Sequence, residues 1–366
     1  MKPAVFLGAL VALLGSTTAA RLHHKAHNLD SQIVVQDSSE KDQAALLQPA
    51  EYTDAAKQNS IHSPPSNNLD AILVDIDEFD QSGDAGPFAH HSPHPKFNVG
   101  SKSSQWAIAY VPYTDDLNCK SRDAIQTDVA TIAQKGFTTI RLYATDCSAL
   151  KLVGSAAKSH NLNLILGVHI DDPTITHAQS QIDDIIAWAD GNWDSVEMIV
   201  IGNEAIFNEF VTPNHLADFI ANARPTLRRA GYTGPVTTTE PISTLHENVA
   251  LLCPVIDIAA ANIHPFFHAD VSAEMAGAYV ADQLEQVEGI CPGLQAVNLE
   301  TGWPSQGMAN GEAVPGVMEQ MLAVTNIMKS AGGRSVFLGF GNDGWKDEGE
   351  FGVEQSWGCM NIFRNV

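Results

Sequence analysis

From residue 106 onward, short apolar runs recur along the chain. Each is closed by a polar or charged residue and followed by a stretch with helical spacing. The runs are WAIAYVPY (106–113), TTIRLYATD (138–146), LNLILGVHID (162–171), SVEMIVIGNE (195–204), GPVTTTEP (234–241), IDIAAANIHPF (256–266), LQAVNLETGW (294–303) and RSVFLGFGND (334–343). Several are near-continuous rather than alternating, the pattern of strands buried on both faces. Between them, RDAIQTDVATIAQKG (122–136) sets Ile125, Val129 and Ile132 on one helical face and ends at a glycine. SALKLVGSAAKSH (148–160), HAQSQIDDIIAWAD (177–190) and TPNHLADFIANARPTLRRAG (212–231) repeat that design. Strands alternating with helices predict an α/β fold with a parallel sheet. Eight such units in about 266 residues have the usual extent of a (β/α)8 TIM barrel over 101–366. The rival is a doubly wound open sheet, which wants a glycine-rich phosphate turn after its first strand. This chain has VPYTDDLNC there.

The first hundred residues have another texture. Lys2, the apolar stretch Ala4–Leu14 and Thr18-Ala19-Ala20 read as a signal peptide over 1–20. Residues 21–100 are rich in Asp, Ser, Gln and His, and only ILVDIDEF (72–79) alternates like a strand. Such a segment buries little apolar area and is read as a disordered leader or pro-segment. Its His90, His91 and His94 have metal-binding side chains but no regular ligand spacing, so a solvated linker is the expected reading. Neither a metal nor a cofactor is expected. No stretch beyond the leader's start is long and apolar enough to span a membrane, and NIFRNV at the C-terminus has no hydrophobic tail.

In a barrel of this kind the site lies where the strands end. The first run ends near Tyr110 and Tyr113, the second in Arg141, Tyr143 and Asp146, the third in His169 and Asp171, and the fourth in Asn203 and Glu204. The fifth offers Glu240, the sixth Asn262 and His264, the seventh Glu300 and Trp303, and the eighth Asn342, Asp343 and Trp345. Burying a carboxylate costs several kcal/mol unless it is paired or used. Taken singly, a strand-end glutamate is as readily an ion-pair partner or a helix cap. Glu204 and Glu300 stand out because both follow apolar strands, the fourth and the seventh, expected on facing walls of the pore. Two carboxyl groups roughly 5–5.5 Å apart would suit a retaining glycosidase, one protonating the leaving oxygen and the other attacking the anomeric carbon. Asn203 would then hold a sugar 2-hydroxyl, and Trp303, Trp345 and Tyr143 would stack on pyranose rings. Arg141 would neutralise a buried carboxylate, and Tyr110 and His264 would line the site. Glu240 is the weakest candidate.

Charge narrows the partner. With 20 basic against 43 acidic residues the formal net charge is −23, which repels phosphate backbones and argues against nucleic acid. Five cysteines are too few for a disulfide scaffold. Cys119 and Cys147 follow the first two strands at the upper rim, and Cys253 and Cys291 precede the sixth and seventh at the lower rim. Adjacent strands put each pair within bridging reach and leave Cys359 over.

Three motifs, TTIRLYATDC (138–147), IVIGNEAIF (199–207) and VNLETGWPSQG (297–307), with AYVPYTDDLNCKS (109–121), make residues 104–366 resemble glycoside hydrolase family 17, especially its fungal cell-wall branch. The resemblance implies a (β/α)8 barrel, a retaining mechanism on β-1,3-glucan, Glu204 as acid/base and Glu300 as nucleophile. It matches Asn203, Arg141, Tyr143 and Trp345 to positions lining the site, and implies a secreted, cell-wall protein, expected to be a monomer. Endo or exo action stays open, as does hydrolysis against glucanosyl transfer. The rivals are a glucan-binding wall protein without turnover, which need not keep both glutamates, a glycosidase of other linkage specificity, and a metal-dependent barrel hydrolase. The last wants histidines on the first strand, where this chain has YVPY.

Overall fold

In the computed structural model, residues 105–366 are described. The signal peptide, the leader with its 72–79 run and the histidines 90, 91 and 94 lie outside them. Eight parallel strands close into a barrel in sequence order. They are β1 (Ala107–Ala109), β2 (Thr139–Leu142), β3 (Asn163–Val168), β4 (Val196–Asn203), β5 (Val236–Pro241), β6 (Ala259–Asn262), β7 (Ala296–Thr301) and β8 (Ser335–Phe337). The outer layer is α1 (Arg122–Gln134), α2 (Ala149–Ser159), α3 (Thr176–Ala189), α4 (Pro213–Arg229), the short α5 (Ile242–Glu247) and α6 (Val249–Leu252), then α7 (Ala276–Ile290) and α8 (Val317–Ala331). The ring closes where Ala107 and Ile108 pair with Val336 and Phe337. The fold is the eight-unit barrel that the alternation of runs predicts.

The strands are shorter than the apolar runs at β1 and β8. Val111 to Tyr113 and Gly341 onward run into rim loops, so the polar and aromatic tails there belong to the mouth. Ile140, Leu164, Ile199, Val297 and Phe337 are wholly buried. α1 buries the Ile125, Val129 and Ile132 stripe read from its spacing, and Ser121 caps it by accepting the Ala124 N–H at 3.2 Å. Thr212 caps α4 in the same way, with Pro213 in its first turn.

Two devices hold the lower rim. Buried Asp257 accepts the Val236 N–H at 2.9 Å and pairs with Arg228 at 2.8 Å and Arg224 at 3.5 Å, tying α4 to the start of β5. At the β8–β1 seam the chain's last residues fold back under α1. Phe363 packs on Phe137 and Phe337 with ring centroids 4.7 and 5.1 Å away, Lys135 Nζ donates to the Phe363 carbonyl at 2.7 Å, and Val366 N donates to Gln134 O at 3.0 Å. Gln105, at the entry to β1, donates to the Lys135 carbonyl in the same place.

Disulfides join Cys119 to Cys147 and Cys253 to Cys291, with Cα atoms 5.3 and 5.5 Å apart, and Cys359 is buried and unbonded. No helix among the described residues is long and apolar enough to cross a membrane. The Cys253–Cys291 bond spans 38 residues and lies away from the mouth. Replacing both cysteines by serine is expected to lower unfolding free energy by about 3–4 kcal/mol in a denaturant titration, through the freed loop entropy of the unfolded chain.

Candidate active site

In a regular strand successive side chains leave on opposite faces, so Asn203 and Glu204 would not both reach the mouth. The end of β4 breaks that rule. Its register with β5 shifts between Val200 and Asn203, Gly202 has φ 80° and Glu204 has φ 53°. A side chain at Gly202 would be strained in that conformation and would meet the Ala205 methyl at 3.3 Å. This irregular turn brings both polar side chains to one partner. Asn262 Nδ2, at the end of β6, donates to Asn203 Oδ1 at 3.2 Å and to Glu204 Oε1 at 2.9 Å. Asn262 is itself oriented by the Thr239 hydroxyl, which donates to its Oδ1 at 2.9 Å.

Glu240 secures the turn from below. It is wholly buried, and its two oxygens accept the N–H groups of Ile206 at 3.0 Å and Phe207 at 3.2 Å, just beyond Glu204. The Glu204 N–H donates to the neighbouring Thr239 carbonyl at 2.8 Å. Burial pushes the Glu240 carboxyl up to about 8, against the pull of those backbone donors and with a further push from Glu204. The residue ranked weakest from sequence therefore has a defined task, though not at the open mouth.

Glu300 comes from β7, whose register sets it against Asn262 across the β6–β7 ladder. Asn298, two residues earlier on the same strand, accepts the N–H groups of Glu300 at 3.2 Å and Ile263 at 3.1 Å and fixes that junction. Three groups surround the Glu300 carboxyl. Tyr143 donates to Oε2 at 2.7 Å, Arg141 Nη1 stands 3.4 Å from the same oxygen, and His264 Nε2 stands 3.3 Å from Oε1. Burial alone would raise its pKa. The close approach of the His264 imidazole, then Arg141, then the Tyr143 hydroxyl outweigh burial and hold it well below the usual carboxylate range. Burial and the same carboxylate push Tyr143 well above the ordinary phenol value, so it stays a donor.

Arg141 joins the two halves. It is 1% exposed, donates through Nη1 to the Leu299 carbonyl and through Nη2 to Asn203 Oδ1 at 2.7 Å, and stacks over the Tyr143 ring at 4.5 Å. An unbroken set of contacts thus runs from Glu300 through Arg141, Asn203 and Asn262 to Glu204. In the closed ring of eight strands β4 and β7 are three places apart, so the two glutamates come from nearly opposite walls of the barrel.

Two expected site residues lie elsewhere. Trp303 is wholly buried, its indole N–H donating to the Val314 carbonyl at 2.9 Å and its ring edge-on to Phe266 at 5.5 Å. Its polar end is satisfied inside the protein, so it offers no face for a sugar. Tyr110 is also buried and turns outward to the helix layer, where its hydroxyl donates to Asp128 of α1 at 2.8 Å. Tyr143 is held as a hydrogen-bond donor to Glu300 rather than as a stacking platform. Trp345 is half-buried at the rim beside Tyr113, with its indole N–H lacking a hydrogen-bond partner among the described residues. Sequence reasoning passed over Trp357, whose ring packs edge-on against His264 at 5.3 Å and backs that imidazole. It also passed over Thr239 and Asn298, small polar residues inside apolar runs, which were the available signal.

The class is that of glycoside hydrolase barrels. The BtgE/BtgC glycoside hydrolase domain matches residues 107–358, and the chain belongs to that family. A probable beta-glucosidase btgE of Aspergillus terreus is 49% identical over 261 residues, covering 71% of this chain and 46% of that protein. The Aspergillus clavatus protein of the same name is 46% identical over 269 residues, covering 74% and 47%. The chain spans about half the length of these curated relatives. Among solved structures, the glycoside hydrolase family 17 β-1,3-glucanosyltransferase of Rhizomucor miehei shares the fold with TM-score 0.59 at 20% identity, over 73% of this chain and 97% of that one. An endo-laminarinase from Formosa does so with TM-score 0.60 at 18%, over 69% and 82%.

The Glu240 clamp has a measurable signature. Glu240→Ala strands two backbone donors and is expected to cost about 2–4 kcal/mol, whereas Glu240→Gln keeps one acceptor and costs less. The carboxyl is raised in the folded protein from 4.5 to about 8, so the native state binds the proton more tightly. Its contribution to stability is therefore full below about pH 4.5 and is lost as pH rises to about 8. Denaturant titrations across that range should show the fall in wild type and its absence in Glu240→Gln.

Proposed function

We propose that the chain is a retaining glycoside hydrolase of family 17 type acting on β-1,3-glucan, with Glu300 as nucleophile and Glu204 as acid/base. The observation that carries this reading is the Asn262 amide, paired across the ladder with Glu300 and holding Glu204 Oε1 at 2.9 Å. It supports two carboxyl groups converging on one gap, as double displacement needs.

Glu300, ionised, attacks the anomeric carbon while Glu204 gives its proton to the departing glycosidic oxygen. A glycosyl ester on Glu300 results. Glu204 then takes a proton from water, or from a hydroxyl of a second sugar, as that oxygen displaces Glu300. His264, Arg141 and Tyr143 keep the nucleophile anionic and aimed. Among the described residues both side-chain hydrogen bonds of Asn203 use its Oδ1, which leaves Nδ2 to donate to a sugar 2-hydroxyl beside the reacting carbon. Trp345 supplies the rim platform in this reading, and Trp303 and Tyr110 have no part in it.

Transfer is the second reading, favoured by the fold shared with a glucanosyltransferase as much as hydrolysis is by the laminarinase. Secretion and a cell-wall location are part of the proposal. The two disulfides and the apolar Ala4–Leu14 stretch support export.

Glu300→Gln is expected to lower kcat/KM on laminarin-type glucan more than about a thousandfold, or about 4 kcal/mol of transition-state stabilisation. Wild-type turnover in that variant would remove Glu300 from the chemistry. Glu204→Gln should lose as much on glucan but far less on an aryl glucoside, whose leaving group needs little protonation. Mass analysis of products from one defined β-1,3-oligosaccharide separates the outcomes. Hydrolysis yields only shorter sugars, and transfer yields some longer than the starting sugar.

A further inference from the structure

The outer layer of the barrel is thin at one place. Between β5 and β6 the connection carries only α5, of six residues, and α6, of four, where α2 has 11 and α4 has 17. The missing helix length leaves a groove of about 840 Å³ between α5 and α7. Its upper end is Asn262 and His264, the residues that hold Glu204 and Glu300. Its lower end is Val249, Gly289 and Ile290. From Tyr279 to Ile290 along α7 the groove runs roughly 16 Å at 1.5 Å per residue. It descends the flank of the barrel rather than crossing the mouth.

The lining selects a class of ligand. Ser243 and His246 come from α5, and Gln283 and Gln286 from α7. Hydroxyl, imidazole and amide groups both donate and accept hydrogen bonds. His268 and Tyr279 add a ring pair with centroids 4.6 Å apart. Among the lining residues there is no lysine or arginine, and Glu247 gives the groove one carboxylate, so a neutral ligand fits it better than an anion. With Ile242, Val249, Ile263 and Ile290 between them, these groups make a mixed apolar and hydrogen-bonding wall, which suits sugar rings with their apolar faces and hydroxyl edges.

We propose that this groove is a second saccharide-binding site, taking the part of a glucan that leaves the catalytic gap over β6 and runs down the barrel's flank. The proposal rests on the glucan reading of the mouth and adds to it a place where non-reacting sugar units bind. Long substrates then gain affinity from α5 and α7, and substrates short enough to fill only the catalytic gap do not.

The test compares two groove variants with wild type, using the full chain. One is Gln283→Ala combined with Gln286→Ala. The other is Gly289→Trp, which fills the lower end from a position where an added side chain meets nothing within 4 Å. Each is assayed on long laminarin-type glucan and on the shortest β-1,3-oligosaccharide that wild type turns over. Loss of two hydrogen-bonding side chains should cut kcat/KM on the long glucan by about tenfold and leave the short substrate unchanged. Equal losses on both substrates, or none on either, overturn the groove while the catalytic reading stands. A wild type inert toward both substrates overturns that reading and the groove's role with it. Hydrogen exchange on Glu300→Gln gives a readout without turnover. Long glucan should protect amides of α5 and α7 and the short oligosaccharide should not, and unprotected helices in both cases overturn the proposal.

Discussion

A buried guanidinium that must be paired is the constraint from which the mouth is built. Arg141 lies 1% exposed inside a ring of apolar strands, where an unpaired charge would be prohibitive. Its donors reach the Leu299 carbonyl, Glu300 and Asn203, so satisfying one cation fixes β2, β4 and β7 relative to one another. The two carboxyl groups inherit different surroundings from this arrangement. Glu300 is wrapped in donors and held anionic, whereas Glu204 accepts one neutral amide from Asn262. Two like residues thereby stand in unlike surroundings.

Precision in this mouth comes from polar residues hidden one shell below it. Thr239 orients Asn262, Asn298 pins the β6–β7 junction, and Glu240 clamps the turn beyond Glu204. Each satisfies backbone or side-chain groups that would otherwise be orphaned by the register shifts near the strand ends. The irregularities that aim the functional side chains are thus affordable only because small polar groups fill the gaps they open.

Much of this was legible in the sequence, and the reasons are specific. Near-continuous apolar runs of strand length alternating with amphipathic stretches left few folds available. The closed ring then placed every run's polar tail on one rim. Topology alone brings Glu204, Glu300, Arg141, Asn203 and His264 to one end of the ring, which is why their grouping could be read from the runs. Trp303 and Tyr110 misled because topology places a Cα near the rim without saying which way a large ring turns. The Val314 carbonyl and Asp128 decided that, and neither is near in sequence. Glu240 was undervalued for the converse reason. A lone acid in TTTEP gains meaning only when the turn after β4 is seen resting on it.

The latch beneath α1 has an architectural consequence. Gln105 enters and Val366 ends beside the same Gln134–Lys135 corner, on the floor of the barrel. The entry to β1 and the C-terminal segment therefore share one support, and strain at that corner reaches both.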